Sequence, residues 1–235
     1  MTAMRPSWYR IAAALAATAA LAGTAVAVTL ATGRPASRGH TTVSTPSPPE
    51  PAVAPARHGS TPLRLVAGTR PVNGLYLGYP HSPTGAVSAA VEFATELGST
   101  LDPDRAATIA RLVADPSDGN APLAAAQGVA STRHHLGLPA AGPLPPGTAV
   151  SLVPAMFQLR DVTASRVTVL LLFDYTALVP HDISGHLGAV AAGMHWTTAG
   201  WKLLGPGGPD VSGLIATPGT AAAVAKGWKA MTNGL

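Results

Sequence analysis

This sequence predicts an α+β domain held outside a membrane by an N-terminal helix, and three observations lead there. Residues 11 to 32 form an uncharged, proline-free run, and a proline-rich stretch without apolar periodicity follows it. Beyond residue 63 the apolar pattern then changes partway from helical spacing to dense β-branched runs. The chain has 235 residues, 47% hydrophobic and 11% charged, which suits one ordinary domain plus additional segments. It contains no cysteine, which excludes a disulfide scaffold, a thiolate zinc site, an iron–sulfur cluster and a cysteine-linked lipid anchor.

As a helix, Ile11 to Thr32 reaches roughly 30 Å at about 1.5 Å per residue, enough to cross the hydrocarbon core. Arg5 and Arg10 precede it, so residues 1–10 are expected to be a basic cytoplasmic N-terminus. A cleaved signal peptide is the rival reading, because Ala25-Val26-Ala27 has the small-residue spacing of a cleavage site. Against cleavage, the apolar run continues through Val28 and Leu30. Both readings send the rest of the chain outward, either as a single-pass cell-membrane protein or as a secreted one. Residues 33–62 carry Pro46, Pro48, Pro49, Pro51 and Pro55, which favour extended polyproline conformations. Too little surface can be buried there to offset ordering, so this is a disordered tether.

The sequence pI of 9.9 invites a nucleic-acid reading. The position of the charge argues against it. Five of the arginines precede residue 63, against Glu50 alone, while from residue 63 onward ten Lys/Arg face ten Asp/Glu. A nucleic-acid module carries its basic face on its folded part, and here that part is neutral.

Within the domain, residues 63–235, the elements follow in order. Gly74, Gly78, Pro80 and Pro83 make residues 70–83 an irregular lead-in. Ser82 or Thr84 then caps a helix with Ala86, Val87, Ala90, Val91, Ala94 and Leu97 on one face. Asp102-Pro103 starts a second helix reaching about Val113, and Asn120 before Pro122 starts a third reaching about Leu136. Residues 148–160 read as a strand interrupted by Pro154, and 165–176, SRVTVLLLFDYT, carry the strongest strand signal. A third strand is expected over about 187–198, turning near Thr198 to Gly200 into a fourth. Pro218 opens a last helix bearing Ala222, Val224, Ala225 and Trp228. Helices followed by consecutive antiparallel strands give helices packed on one face of one curved sheet.

This order resembles the nuclear transport factor 2-like (cystatin-like) cone over roughly residues 72 to 204. It is more specifically similar to actinobacterial membrane proteins of that class, through Gly78-Tyr-Pro-His-Ser-Pro-Thr-Gly-Ala-Val opening the first helix and the Trp196 to Trp201 hairpin. The resemblance implies a non-enzymatic, membrane-anchored assembly or scaffold subunit of a conjugation or secretion apparatus, with other membrane subunits as partners. It also implies an alternative, a lipid or small-molecule binding module in a transporter complex. A cone can in addition enclose a carboxylate for acid–base chemistry, which makes an enzyme the least favoured reading.

The residues themselves offer little catalytic chemistry. His134 and His135 are adjacent, so on a helix their side chains diverge. His181, Asp182 and His186 form the one composite set with ligand character, and ordinary surface histidines are the preferred reading. Asp174 and Tyr175 on the strong strand, with His195 nearby, are the acid–base candidates. Asp174 follows Phe173, however, and should face solvent if Phe173 faces the core. Gly205 to Pro209 is a turn rather than a phosphate cradle, because its prolines remove donors. No catalytic, metal or cofactor-binding residue is assigned, and no cofactor. Trp196 and Trp201 are read as structural residues packing against the first helix. Tyr76 and Tyr79, as loop aromatics, are the partner-binding candidates, in a domain that is monomeric or weakly self-associating. Membrane fractions are expected to retain the full-length chain through high-salt and carbonate washing. A soluble product beginning at Val28 would show cleavage instead.

Overall fold

Val167 to Phe173 set the architecture, because the apolar residues of this run are buried whichever way they point. The computed structural model describes residues 61–205 and 207–233, so the expected membrane segment and all but the end of the tether lie outside the described residues. Among the described residues, no helix is long and apolar enough to cross a membrane.

The strands are β1 (Leu63–Arg64), β2 (Arg70–Val72), β3 (Leu75–Leu77), β4 (Ala149–Arg160), β5 (Arg166–Val179), β6 (Asp182–Thr197), β7 (Gly200–Leu203) and β8 (Lys229–Thr232). The α-helices are α1 (Pro83–Gly98), α2 (Pro103–Val113), α3 (Ala121–His135) and the short α4 (Ala221–Ala225). Six strands form one curled sheet in the order β1-β8-β4-β5-β6-β7. The fold is α+β, with α1 packed against one face of that sheet. Two features differ from the sequence expectation. The sheet is antiparallel except at its edge, where β1 runs parallel to β8. The lead-in is not irregular throughout, since β2 and β3 pair as a separate hairpin. Its turn, Asn73-Gly74, places both residues at positive φ (52° and 75°), the geometry that tightens a two-residue hairpin.

Local chemistry fixes the helix starts. The Ser82 hydroxyl accepts from the Gly85 N–H at 3.1 Å, and the Asp102 carboxylate accepts from the Asp104 and Arg105 N–H groups. Each cap is followed by proline at the first helical position, where no N–H is needed. Gly85 has a steric reason as well. A Cβ there would lie 2.0 Å from the Pro80 carbonyl oxygen, so the first turn of α1 touches the lead-in backbone. The Asn120 side chain makes no capping bond to α3. Near its other end, α3 buries Arg133, which donates to the carbonyls of Leu101 and Gly142 and ties the helix to the chain around it.

The interruption expected at Pro154 is a β-bulge. Pro154 faces Phe173 and Met156 faces Leu172, leaving Ala155 as the extra residue. One extra residue exchanges the faces of everything beyond it. Leu152 packs toward α1, whereas beyond the bulge Phe157 takes the α1 side and Met156 the other. Along β5, Val167, Val169 and Leu171 join the α1 core, while Leu170 and Leu172 point the opposite way. That second face is covered by the C-terminal segment through Val211, Ala223 and Trp228. The single last helix expected from Pro218 is therefore corrected. Gly227 (φ 88°) ends α4 after five residues, and the chain continues as β8 with Trp228 Nε1–H donating to the Leu214 carbonyl.

Trp196 and Trp201 face each other directly across the β6–β7 hairpin, 5.3 Å apart in edge geometry. Trp201 is buried in the α1 core and its Nε1–H donates to the Pro80 carbonyl at 2.9 Å. Trp196 is half-buried and stacks on His81 at 4.2 Å. Trp201→Ala is expected to cost about 3–5 kcal/mol, read as a lowered urea midpoint. Trp196→Ala should cost clearly less.

Candidate functional site

Where α2 and α3 lean over the sheet they do not fill the space beneath them. A partly open cavity of ≈ 200 Å³ lies there, bounded by the end of α1, by α2 and α3, and by the sheet. Small residues leave it unfilled: Ala106 and Ala110 on α2, then Ala121, Ala124, Ala125 and Gly128 on α3. Leu152 and Tyr175, which are cross-strand partners on β4 and β5, form its sheet wall, and Leu203 and Leu204 form another. Among the described residues, no charged side chain lines it. Of its polar side chains, the Thr100 hydroxyl accepts from the Asp102 N–H and the Thr132 hydroxyl donates to the Gly128 carbonyl. Tyr175 is different. Its hydroxyl is buried and has no hydrogen-bond partner among the described residues, and burial pushes the phenol up to about 12.

The sequence candidates do not converge on this cavity. Phe173 is buried and Asp174 exposed, so the carboxylate lies on the opposite face from Tyr175. His195 is the partner of Arg166, nine positions along β5 from Tyr175, roughly 30 Å of strand at about 3.3 Å per residue. Of the three acid–base candidates, Tyr175 alone lines the wall. His181 sits at positive φ in the β5–β6 turn, and Asp182 and His186 lie on β6. Among the described residues, no group of three or more His, Asp or Glu is placed to hold a metal ion. Tyr76 is 50% exposed, and its N–H donates to Glu92. Tyr79 is a correction to the loop-aromatic reading. It is buried edge-on against Phe93, with its phenol pushed upward by burial first and Glu92 second. The reason is the β2–β3 hairpin, which folds the lead-in against α1.

Sequence reading passed over a second polar feature. Asp115, just beyond α2, is buried, and its carboxylate accepts from the Ser117 hydroxyl at 2.6 Å and the Ser117 N–H at 3.0 Å. His195 Nδ1–H donates to its other oxygen at 2.6 Å. The Asp115 N–H reaches the Leu203 carbonyl at 2.7 Å, so this aspartate ties α2 to β6 and β7 beside the cavity. Lys202 adds a bond to the Leu112 carbonyl, its pKa lowered chiefly by burial. The local signal was Asp115-Pro116-Ser117, an Asx-turn sequence. The small-residue spacing of α2 and α3 was the corresponding signal for the cavity.

The Ser117 hydroxyl, with help from His195 and the Ser117 N–H, holds Asp115 down to about 2 from 3.8. A depressed folded pKa gives stability that is present above the unfolded value and is lost as pH falls through the folded one. Stability from this group should therefore hold down to about pH 4 and drain away toward pH 2, by about 2 kcal/mol in all. In denaturant titrations, Asp115→Asn should be weaker than the parent by that amount near pH 6, with the gap closing toward pH 2.

No curated protein and no solved structure matches this chain. A family model does, over residues 16–225, and so takes in part of the N-terminal apolar run as well as nearly all of the folded domain. Because that match covers well over half of the chain, including the α1–α3 helices and the strands that enclose the cavity, the chain belongs to the family described as Domain of unknown function (DUF8175).

Proposed function

We propose that this chain is a membrane-anchored, extracytoplasmic, non-enzymatic binding module whose domain takes up a small apolar molecule, within the nuclear transport factor 2-like class. The cavity between α2, α3 and the sheet carries this reading. A pre-formed concave site with mainly apolar walls and few polar groups is the usual form of a small-molecule site. The curled sheet with helices packed against one face supports the cone assignment. Several features favour binding over catalysis. The titratable wall residue is a phenol raised to about 12, which keeps its proton near neutrality. Asp174 points from the other face of the sheet and His195 is engaged with Asp115 behind the lining, so among the described residues the wall itself offers no acid–base pair. The uncharged run from Ile11 to Thr32 and the tether behind it would hold such a module near other membrane proteins.

A role as an assembly subunit of a conjugation or secretion apparatus is the second reading, and exposed Tyr76 supports it. The two readings are compatible, since a ligand-bearing domain can also dock.

Benzene added to the full-length chain in lipid nanodiscs should shift the methyl resonances of Ala106 and Ala110 in a saturable manner. Ala125→Leu, which fills the cavity from α3, should weaken that binding by at least about tenfold while the domain still melts cooperatively. Unchanged benzene affinity in Ala125→Leu would place the binding elsewhere.

A further inference from the structure

We propose that the free edge of β6 binds the same edge of a second copy of this chain, the two strands running antiparallel about a two-fold axis at Ser184. This goes beyond the binding reading and does not depend on the cavity. β5 pairs with β6 along its whole length, whereas β7 pairs with it only from Met194 to Thr197. Bonding direction alternates along an antiparallel strand. The Trp196 N–H donates to the Ser165 carbonyl on the β5 side, and the Gly193 carbonyl accepts from the Leu204 N–H on the other side. The β5–β6 register is unbroken, so odd-numbered residues of β6 direct their backbone groups outward. For Ile183, Gly185 and Leu187 those groups meet no partner among the described residues.

The stretch also lacks the usual protection of an edge. Ile183 to Leu187 reads Ile-Ser-Gly-His-Leu, with no lysine, proline or bulge. Ile183 is 71% exposed, and its cross-strand partner Leu178 is exposed on the same face. Such an edge is suited to an added strand.

The register selects a second copy. A Cβ on Gly208 would lie 2.8 Å from that of Ala191, and Leu204 bonds to Gly193, so the open run stops short of Ala191. Two identical edges confined to that run can centre on Ser184 or on Gly185. Centring on Ser184 sets Asp182 opposite the partner's His186, twice. Asp182 and His186 share one face of β6, and neither makes a hydrogen bond or ion pair among the described residues. An imidazole N–H donates to a carboxylate whether the ring is charged or neutral. On the other face Ile183 lies opposite the partner's Gly185, where a Cβ would meet only the Tyr175 carbonyl oxygen, at 3.9 Å. Centring on Gly185 would instead set Asp182 opposite the partner's Gly188. The edge therefore carries its own complement in charge and in shape. Paired over residues 182–186, about 17 Å at about 3.3 Å per residue, it buries well under the roughly 800 Å² per partner of a stable complex. The dimer is weak in solution and is favoured where a membrane concentrates the chains.

The chain has no cysteine, so single cysteines placed along 182–188 report the register directly. Each variant of the full-length chain, reconstituted in liposomes, is oxidised with diamide and its disulfide-linked dimer measured. At Ser184 the two Cα atoms of a non-hydrogen-bonded pair stand about 4.5 Å apart, within disulfide range. Like positions at 183 or 185 stand roughly 8–9 Å apart, too far to bridge. Ser184→Cys should give at least about fivefold more dimer than Ile183→Cys or Gly185→Cys. In the Ser184→Cys background, His186→Asp should cut the dimer severalfold by opposing two carboxylates, and adding Asp182→Lys should restore it while the domain melts as before. A maximum at another position, or no effect of His186→Asp, overturns the Asp182–His186 register. Equal yield at every position marks random collision and overturns the pairing. No dimer at any position overturns the second copy and leaves the edge to a strand from the tether or from another protein. Benzene should shift the Ala106 and Ala110 methyls equally in all these variants, so failure here leaves the binding reading standing.

Discussion

The burial of β5 on both of its faces is the constraint on which the rest of the domain depends. Val169, Leu170, Leu171 and Leu172 are fully buried in succession, and successive residues of a strand point to opposite sides. Neither face of the sheet can then be left to water. The α1 core seals one side, and the segment carrying Val211, Ala223 and Trp228 seals the other. Asp174 marks where the second cover stops, because it is the first charged residue after the run and it is exposed. The bulge at Ala155 follows from the same demand. It lets β4 present Leu152 and Phe157 to one core and Met156 to the other without breaking its pairing with β5.

Legibility in the sequence tracked how local each cause is. Ser82, Asp102 and the prolines after them announce α1 and α2 because capping acts over three residues. The β-branched density of 165–176 announces β5 for a comparable reason. The Asn73-Gly74 hairpin was equally local and was hidden by the neighbouring glycines and prolines, which suggested a loop. The end of α4 was harder. Ala221 to Trp228 is good helical sequence, and only the pairing of Met156 and Phe157 with Ala230 and Lys229 explains why the chain becomes a strand. Asp115 and His195 lie far apart in the sequence, so nothing short of the fold could join them. The phase change at Ala155 likewise has no meaning until the partner strand is known.

The candidate site was legible in a weaker sense. Tyr175 was singled out as a member of an acid–base set, and the fold separates it from that set. Alanine recurs along the cavity-facing side of α2 and α3, where small side chains suit either close packing or open space. In the fold the same residues enclose space, and the buried Arg133 of α3 bonds to the Leu101 and Gly142 carbonyls. One pattern of small side chains thus serves contact in α1, where Gly85 abuts Pro80, and vacancy in α2 and α3.

The parallel pairing of β1 with β8 has a mechanical consequence. The first strand of the domain is fastened to the last through Leu63, Arg64 and the Leu65 N–H, which donates to the Thr232 carbonyl. Tension arriving along the chain before Leu63 is borne first by this two-residue pairing and by the apolar contacts of Leu63 and Leu65. The long registers joining β4, β5 and β6 lie behind it. A two-residue pairing has far fewer hydrogen bonds to break than the registers of β4, β5 and β6, so under such a load β1 is expected to part before them.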